Sequence, residues 1–302
     1  MDIRSPIVLA AGTSGVFDEM AGVADLSRVG AIVTKSITRE PRIGNPAWRV
    51  HPLPVGMLNA IGLANPGIDA FVERHENADA GVPCPVIGSA AGNSIDDYAE
   101  VCRGFDRVGA IAAVELNVSC PNVHGGTDFG LDTSALAELV HACGAATGKP
   151  LVVKLSPVVQ GSPSIVDLAK AAIEAGARTL TVANTVPAMA IDVDRAQPVL
   201  ANVTGGLSGP AVHPITLRLV HLVYRGAARD AGIPIIALGG VTGWRDAAAY
   251  VLAGASAVGV GTTLLADPTS AGRIAAGLAR WQRKRGVSAI ADLVGTVQLP
   301  RE

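Results

Sequence analysis

Cys120 stands in the segment Asn117-Val118-Ser119-Cys120-Pro121-Asn122, which runs on into a glycine-rich stretch, residues 122–130. A thiol in such a loop can act as a nucleophile or as a general base, and the loop itself can open and close over a substrate. His124 is near in sequence, but adjacency alone builds no catalytic dyad. Lys35 and Lys154 each end a short apolar run. An ammonium at the end of a buried run is costly unless an anion or acceptor meets it. One such lysine is answered by a neighbouring carboxylate as easily as by a ligand; two on one face point to an anionic or electron-rich ligand. Asn117 and Asn184-Thr185 also end apolar runs. Asn59-Ala60-Ile61-Gly62-Leu63-Ala64-Asn65 offers amides that donate and accept, and so can read a planar amide or imide ring; its plainer reading is turn formation. Gly239-Gly240 and Gly261-Thr262 follow two further apolar runs. Backbone N–H groups of such turns hold phosphates, and glycine lets the backbone come close. Gly205-Gly206-Leu207-Ser208-Gly209 adds a third glycine segment.

These groups share one position: the end of a predicted strand or the connection after it. Eight short apolar runs read as strands, at residues 7–11, 32–35, 85–90, 111–117, 151–155, 179–183, 234–238 and 257–260. Unbroken apolar runs suit parallel strands buried on both faces. Helical patterns lie between them at 97–107, 134–146, 165–175, 215–231 and 245–252, and a last one at 270–285 closes the series. Gly-Ala pairs at 30–31, 109–110, 176–177 and 254–255 precede strands, as expected if glycine ends each helix in the left-handed conformation. Alternating strand and helix predicts right-handed crossovers and a parallel sheet. Eight units predict an α/β fold, a (β/α)8 TIM barrel with long βα loops at the C-terminal face, as one domain over residues 1–302. Active-site groups of such a barrel gather at the C-terminal ends of its strands. The connections 36–83 and 186–214, rich in Pro, Gly and Asn, are long enough to carry function.

Bulk properties exclude other classes. Hydrophobic residues make up 49% and charged residues 17%, which suits helices packed on a buried sheet and excludes a disordered chain. Net charge is −2, with no basic run, so nucleic acid is not an expected partner. No apolar stretch spans a membrane, and the start does not read as a signal peptide, so a cytoplasmic location is expected. Cys84, Cys102, Cys120 and Cys143 are far apart without a CxxC pair, against a zinc site, an iron–sulfur cluster or a disulfide framework. Cys84, Cys102 and Cys143 read as small buried hydrophobes.

Several motifs, in order, cover nearly the whole chain: Glu40-Pro41-Arg42-Ile43-Gly44-Asn45-Pro46, Gly56-Met57-Leu58-Asn59-Ala60-Ile61-Gly62-Leu63, residues 115–122, Val153-Lys154-Leu155-Ser156-Pro157, Asn184-Thr185, and residues 205–210 and 253–262. With these the chain resembles the class 1 dihydroorotate dehydrogenases, most of all the NAD-linked 1B catalytic subunit. The resemblance implies FMN-dependent oxidation of (S)-dihydroorotate to orotate in pyrimidine (UMP) biosynthesis. It implies that Cys120 removes the C5 proton while C6 delivers hydride to the flavin. Lys35, Asn59, Ala60, Ile61, Gly62, Leu63, Asn117, Asn122, Asn184 and Thr185 would hold the substrate. Thr13, Lys35, Ser36, Ser89, Asn117, Lys154, Ala183, Gly209, Gly239, Gly240, Gly261 and Thr262 would hold FMN. Lys154 would lie by the flavin ring and the last two glycine loops by the phosphate. The NAD-linked subgroup passes electrons through a second subunit carrying FAD and a 2Fe–2S cluster. This chain has no cluster cysteines, so it would be the catalytic subunit of a homodimer or heterotetramer. It departs from the family in starting almost at strand 1, without the usual β-hairpin, in Ser89 where an Asn is usual, and in Ser14 where an aromatic is usual. A dihydropyrimidine dehydrogenase-like reductase is the second reading, and would need no site for the orotate carboxylate. A non-catalytic barrel subunit is the third, and Cys120, Lys154 and the glycine loops speak against it.

Overall fold

The computed structural model describes residues 3–16, 19–77, 81–119 and 129–300. Its strands, in chain order, are β1 Ile7–Leu9, β2 Ala31–Val33, β3 Val50–Leu53, β4 Gly56–Asn59, β5 Val86–Ala90, β6 Ile111–Asn117, β7 Leu151–Lys154, β8 Thr179–Val182, β9 Val186–Ala188, β10 Ile191–Asp192, β11 Gln197–Pro198, β12 Gly205–Ser208, β13 Ile235–Leu238 and β14 Ala257–Val260. The eight predicted strands are β1, β2, β5, β6, β7, β8, β13 and β14. They pair in that order, all parallel, and β14 closes on β1 to complete a barrel.

The helices around it are α1 Ile68–His75, α2 Ile95–Arg107, α3 Thr133–Ala146, α4 Ile165–Glu174, α5 His213–Val223, α6 Arg229–Ala231, α7 Trp244–Ala253, α8 Thr263–Ala266 and α9 Ser270–Lys284. Their starts are set by side-chain caps. Ser164 and Asp167 form a reciprocal capping box at α4, and Asp132 accepts from the amides of Ser134 and Ala135 at α3. The helical pattern at 215–231 is broken in the structure. Helix α5 starts two residues earlier, widens into a π turn at Tyr224–Ala228, and ends through α6 at the left-handed Gly232.

The Gly-Ala pairs do not share one cause. Gly176 (φ 113°) and Gly254 (φ 123°) do have positive φ after α4 and α7. Gly30 does not; a Cβ there would overlap the Ser5 carbonyl, so close backbone approach requires the glycine. Gly109 has neither feature, with open space where a Cβ would be.

Of three apolar clusters among the described residues, two build the barrel. The larger lies between strands and helices, where aromatics are few but fully buried: Tyr98, Tyr250, Phe71 and Phe105. Cys84, Cys102 and Cys143 are buried thiols, as expected, and burial pushes Cys84 up to about 11. The smaller core fills the barrel with Val8, Ala31, Val33, Ile87, Ala113, Val152, Ile236 and Ala257. Strand side chains alternate faces. The inner face that holds Ile87, Ala113 and Val152 therefore also holds Ser89, Glu115, Asn117 and Lys154, nearer the C-terminal ends. The barrel is apolar at its base and polar toward its mouth.

The two long connections are not irregular. Residues 36–83 supply β3 and β4, and residues 186–214 supply β9 and β12. Together they form a four-stranded antiparallel sheet, β3-β4-β12-β9, with β10 and β11 paired beside it in the chain.

Candidate functional site

The strand ends and the four-stranded sheet enclose a cavity of about 940 Å³. That is at the large end for a ligand site, with room for a nucleotide-sized cofactor and a small ring together. Each region reaches it for a local reason. Ala10 to Thr13 follow β1, and Lys35 and Ser36 follow β2. Asn117 ends β6, Lys154 ends β7, and Ala183 to Thr185 follow β8. Gly239 and Gly240 follow β13, and Gly261 and Thr262 follow β14. The long connections add Asn59 to Leu63 and Gly205 to Gly209 as a wall.

One hydrogen-bonded relay crosses the mouth. The Thr185 amide donates to Asn184 Oδ1 (2.8 Å), Asn184 Nδ2 donates to Asn117 Oδ1 (2.9 Å), and Asn117 Nδ2 donates to Ser36 Oγ (3.3 Å). The Ser36 and Ser89 hydroxyls are 2.8 Å apart. The phenol of Tyr98 fixes the Asn117 backbone by donating to its carbonyl (2.6 Å). Asn59 is tied to the wall, its Nδ2 donating to the Gly206 carbonyl (3.1 Å). Strands β6 and β8 and the loop after β2 thus present fixed amide dipoles to one space.

Its electrostatics are one-sided. Among the described residues the lining holds two ammonium groups, Lys35 and Lys154, and no carboxylate. Neither ammonium has an ion-pair or hydrogen-bond partner among the described residues, so no described carboxylate answers either lysine. Burial, with repulsion from Arg49 added, holds Lys35 below the usual lysine range. Ser119 contributes a buried hydroxyl without a partner, also on the cavity wall.

The structure brings Thr13, Lys35, Ser36, Asn59, Ala60, Ile61, Gly62, Leu63, Asn117, Lys154, Ala183, Asn184, Thr185, Gly209, Gly239, Gly240, Gly261 and Thr262 to this one cavity. Ser89 lies apart from the others. It is fully buried beneath the cavity, held by Ser36 and by its own amide donating to Thr34 Oγ1 (3.0 Å), and it does not line the space. Its serine is short enough to be sealed under Ser36. Cys120 and Asn122 lie outside the described residues. Ser119, which follows the strand that Asn117 ends, also lines the cavity. Sequence reasoning passed over Glu115, a buried carboxyl inside the barrel whose Oε2 accepts from Thr181 Oγ1 (2.8 Å).

A family model described as dihydroorotate dehydrogenase matches residues 1–281. The chain belongs to this family. Among curated proteins it is 46% identical over 299 residues, 99% of this chain and 96% of the other, to the dihydroorotate dehydrogenase B (NAD(+)) catalytic subunit of Trichlorobacter lovleyi. The proteins of the same name from Pelobacter propionicus and Geobacter sulfurreducens are 44% and 46% identical, covering 99% and 98% of this chain and 96% and 95% of theirs. A crystal structure of a dihydroorotate dehydrogenase from Eimeria tenella, in complex with ferulenol, superposes with a TM-score of 0.75 at 23% identity, over 96% of this chain and 85% of that one. That likeness supports the closed barrel as the fold.

The family's cofactor is FMN, and the residues present fit it. A phosphate needs close, convergent backbone donors. Gly239 (φ 149°) and Gly240 (φ 65°) turn in conformations that side chains rarely adopt, and a Cβ on Gly240 would lie 2.7 Å from the Gly209 carbonyl. The glycines therefore let the loop backbone pack closely against Gly209 and His213 while it lines the cavity. The unpaired ammonium groups suit both a flavin ring and an anionic substrate.

Proposed function

We propose that this chain is the catalytic subunit of an NAD-linked dihydroorotate dehydrogenase, a single FMN-binding barrel domain over residues 1–302 that oxidises dihydroorotate to orotate. The observation that carries the reading is the cavity itself: two unpaired ammonium groups, an asparagine relay and no carboxylate in its described lining, at the mouth of a barrel of this family. When bound, FMN supplies the hydride acceptor. The chain's own residues do the rest. Thr13, Ser36, Ala183, Gly209 and the loops at Gly239-Gly240 and Gly261-Thr262 would hold FMN, with Lys154 placing positive charge beside its ring. Asn59, Asn117, Asn122, Asn184 and Thr185 would read the ring amides of the substrate, with Ala60 to Leu63 as the wall. Lys35 would meet its carboxylate. Cys120 would take the C5 proton, which the adjacent carbonyl acidifies. The Asn relay holds its amides in fixed directions, so substrate groups would meet oriented dipoles.

The relatives' names as catalytic subunits support a partner for this chain. The partner would carry FAD and a 2Fe–2S cluster, and the complex would be built on a homodimer or heterotetramer in the cytoplasm. Among the described residues no helix is long and apolar enough to cross a membrane, and no group of three metal-ligating side chains could hold a metal ion.

Turnover tests the substrate. The purified yellow protein should oxidise dihydroorotate and leave dihydrouracil, which lacks the carboxylate, at least about tenfold slower. Equal rates would favour a dihydropyrimidine dehydrogenase-like reductase. Tagged chain should bring down a flavin and iron–sulfur subunit from its own cells; its recovery without one would assign another electron acceptor.

A further inference from the structure

We infer that Tyr250, supported by Thr216, is a positioning residue that aims the Gly239–Gly240 peptide at the phosphate end of FMN. The inference rests on the reading above that this loop takes the phosphate. Tyr250 lies on α7 and Thr216 on α5, behind the loop and outside the cavity lining. The Tyr250 phenol is fully buried and donates to the Gly239 carbonyl (2.7 Å). Its oxygen is in turn hydrogen-bonded to the Thr216 hydroxyl. Because the phenol proton goes to the Gly239 carbonyl, the Thr216 hydroxyl is the donor to the phenol oxygen. The His213 ring packs edge-on against Tyr250, centroids 4.8 Å apart, with Nδ1 3.3 Å from the same Gly239 carbonyl.

The consequence follows from peptide geometry. In a trans peptide the C=O and the next N–H point in opposite directions. Tying the Gly239 carbonyl inward to Tyr250 therefore turns the Gly240 N–H the other way, toward the cavity that Gly239 and Gly240 line. The glycines make this possible: a Cβ on Gly239 would overlap the Thr216 hydroxyl and lie 2.9 Å from Thr216 Cγ2, so the loop rests directly on Thr216. Without the anchor, a Gly-Gly turn samples several peptide orientations and must be ordered by the ligand. Burial above all raises the Tyr250 phenol, so it remains a donor throughout the physiological range.

The test is flavin affinity. Full-length protein is freed of flavin and titrated with FMN and with riboflavin, which lacks the phosphate, by flavin fluorescence. Wild type should prefer FMN. Tyr250→Phe keeps the ring and removes the donor, and should weaken FMN about tenfold while leaving riboflavin unchanged. Thr216→Val should weaken FMN in the same selective way by a smaller factor; it carries the test if Tyr250→Phe does not fold. A variant that binds FMN as wild type does, or that loses both ligands equally, overturns the role of Tyr250. A wild type without preference for FMN over riboflavin instead overturns the phosphate assignment on which it rests.

Discussion

Gly206→Ala tests how tightly the wall is built against the relay. Gly206 sits in β12 between Asn59 of β4 and Pro187 of β9. A Cβ there would overlap the Thr185 hydroxyl and lie 2.6 Å from Thr185 Cβ. Rotating Thr185 about χ1 moves the hydroxyl but not Cβ, so rotation does not relieve the clash. Ordinary contact begins near 3.4 Å, so the two backbones must part by about 0.8 Å. Overpacking of this kind costs about 1–3 kcal/mol, a drop of a few degrees in Tm. The functional loss should be larger. The Thr185 amide donates to Asn184, which donates to Asn117, so the displacement feeds into the substrate relay. A misplacement near 1 Å costs roughly 100-fold in catalysis, and a loss of about 10- to 100-fold in kcat/KM for dihydroorotate is expected. FMN content should be retained, because the phosphate loops follow β13 and β14. Steady-state kinetics, visible flavin absorbance and thermal unfolding on one preparation separate these effects. Wild-type kcat/KM in a folded Gly206→Ala protein would refute the coupling of the wall to the site.

Four further outcomes follow from Lys35, Lys154 and Ser164. Orotate affinity should fall, by at most about tenfold per pH unit, as pH rises through the point where Lys35 deprotonates, which lies below the ordinary lysine 10.5; Lys35→Met should weaken binding and flatten the profile in a spectral titration. The same lowered value means that the burial cost of the Lys35 charge is fully present below its folded pKa. Stability of the flavin-free protein should therefore rise as pH climbs through that value, and denaturant midpoints should show it for wild type and not for Lys35→Met. Lys154→Met should purify with less FMN, read as the ratio of visible to protein absorbance, while its melting curve shows a folded protein. Ser164→Ala removes one half of the α4 capping box and should cost about 1 kcal/mol in urea unfolding with kcat unchanged.

The barrel was legible because its strands are buried on both faces and so appear as unbroken apolar runs, such as Leu151–Lys154 and Ala257–Val260. The site was legible for the same reason: polar residues that end such runs, Lys35, Asn117, Lys154 and Asn184, must converge at one mouth. The four-stranded sheet was not. Its strands carry Pro52, Pro187 and two glycines in β12, which read as loop, and Gly206 pairs with Asn59 from a connection far away in sequence. Only the closed barrel brings the two connections together. Ser89 ends its strand as expected, but a hydroxyl is short and Ser36 covers it. Tyr250 carried no signal at all: a tyrosine in an apolar helix reads as core, and its phenol shows a role only when the Gly239 carbonyl is found beside it.

In the proposed reaction Cys120 is the base that takes the C5 proton of dihydroorotate. Anaerobic mixing of the FMN-loaded protein with dihydroorotate, following the loss of flavin absorbance in a single turnover, tests it most directly. Wild type should bleach rapidly, and Cys120→Ala should keep its yellow colour and bleach at least about 100-fold more slowly. Bleaching of Cys120→Ala at the wild-type rate would place the base on another residue, and a wild type that dihydroorotate does not bleach would contradict the assigned reaction.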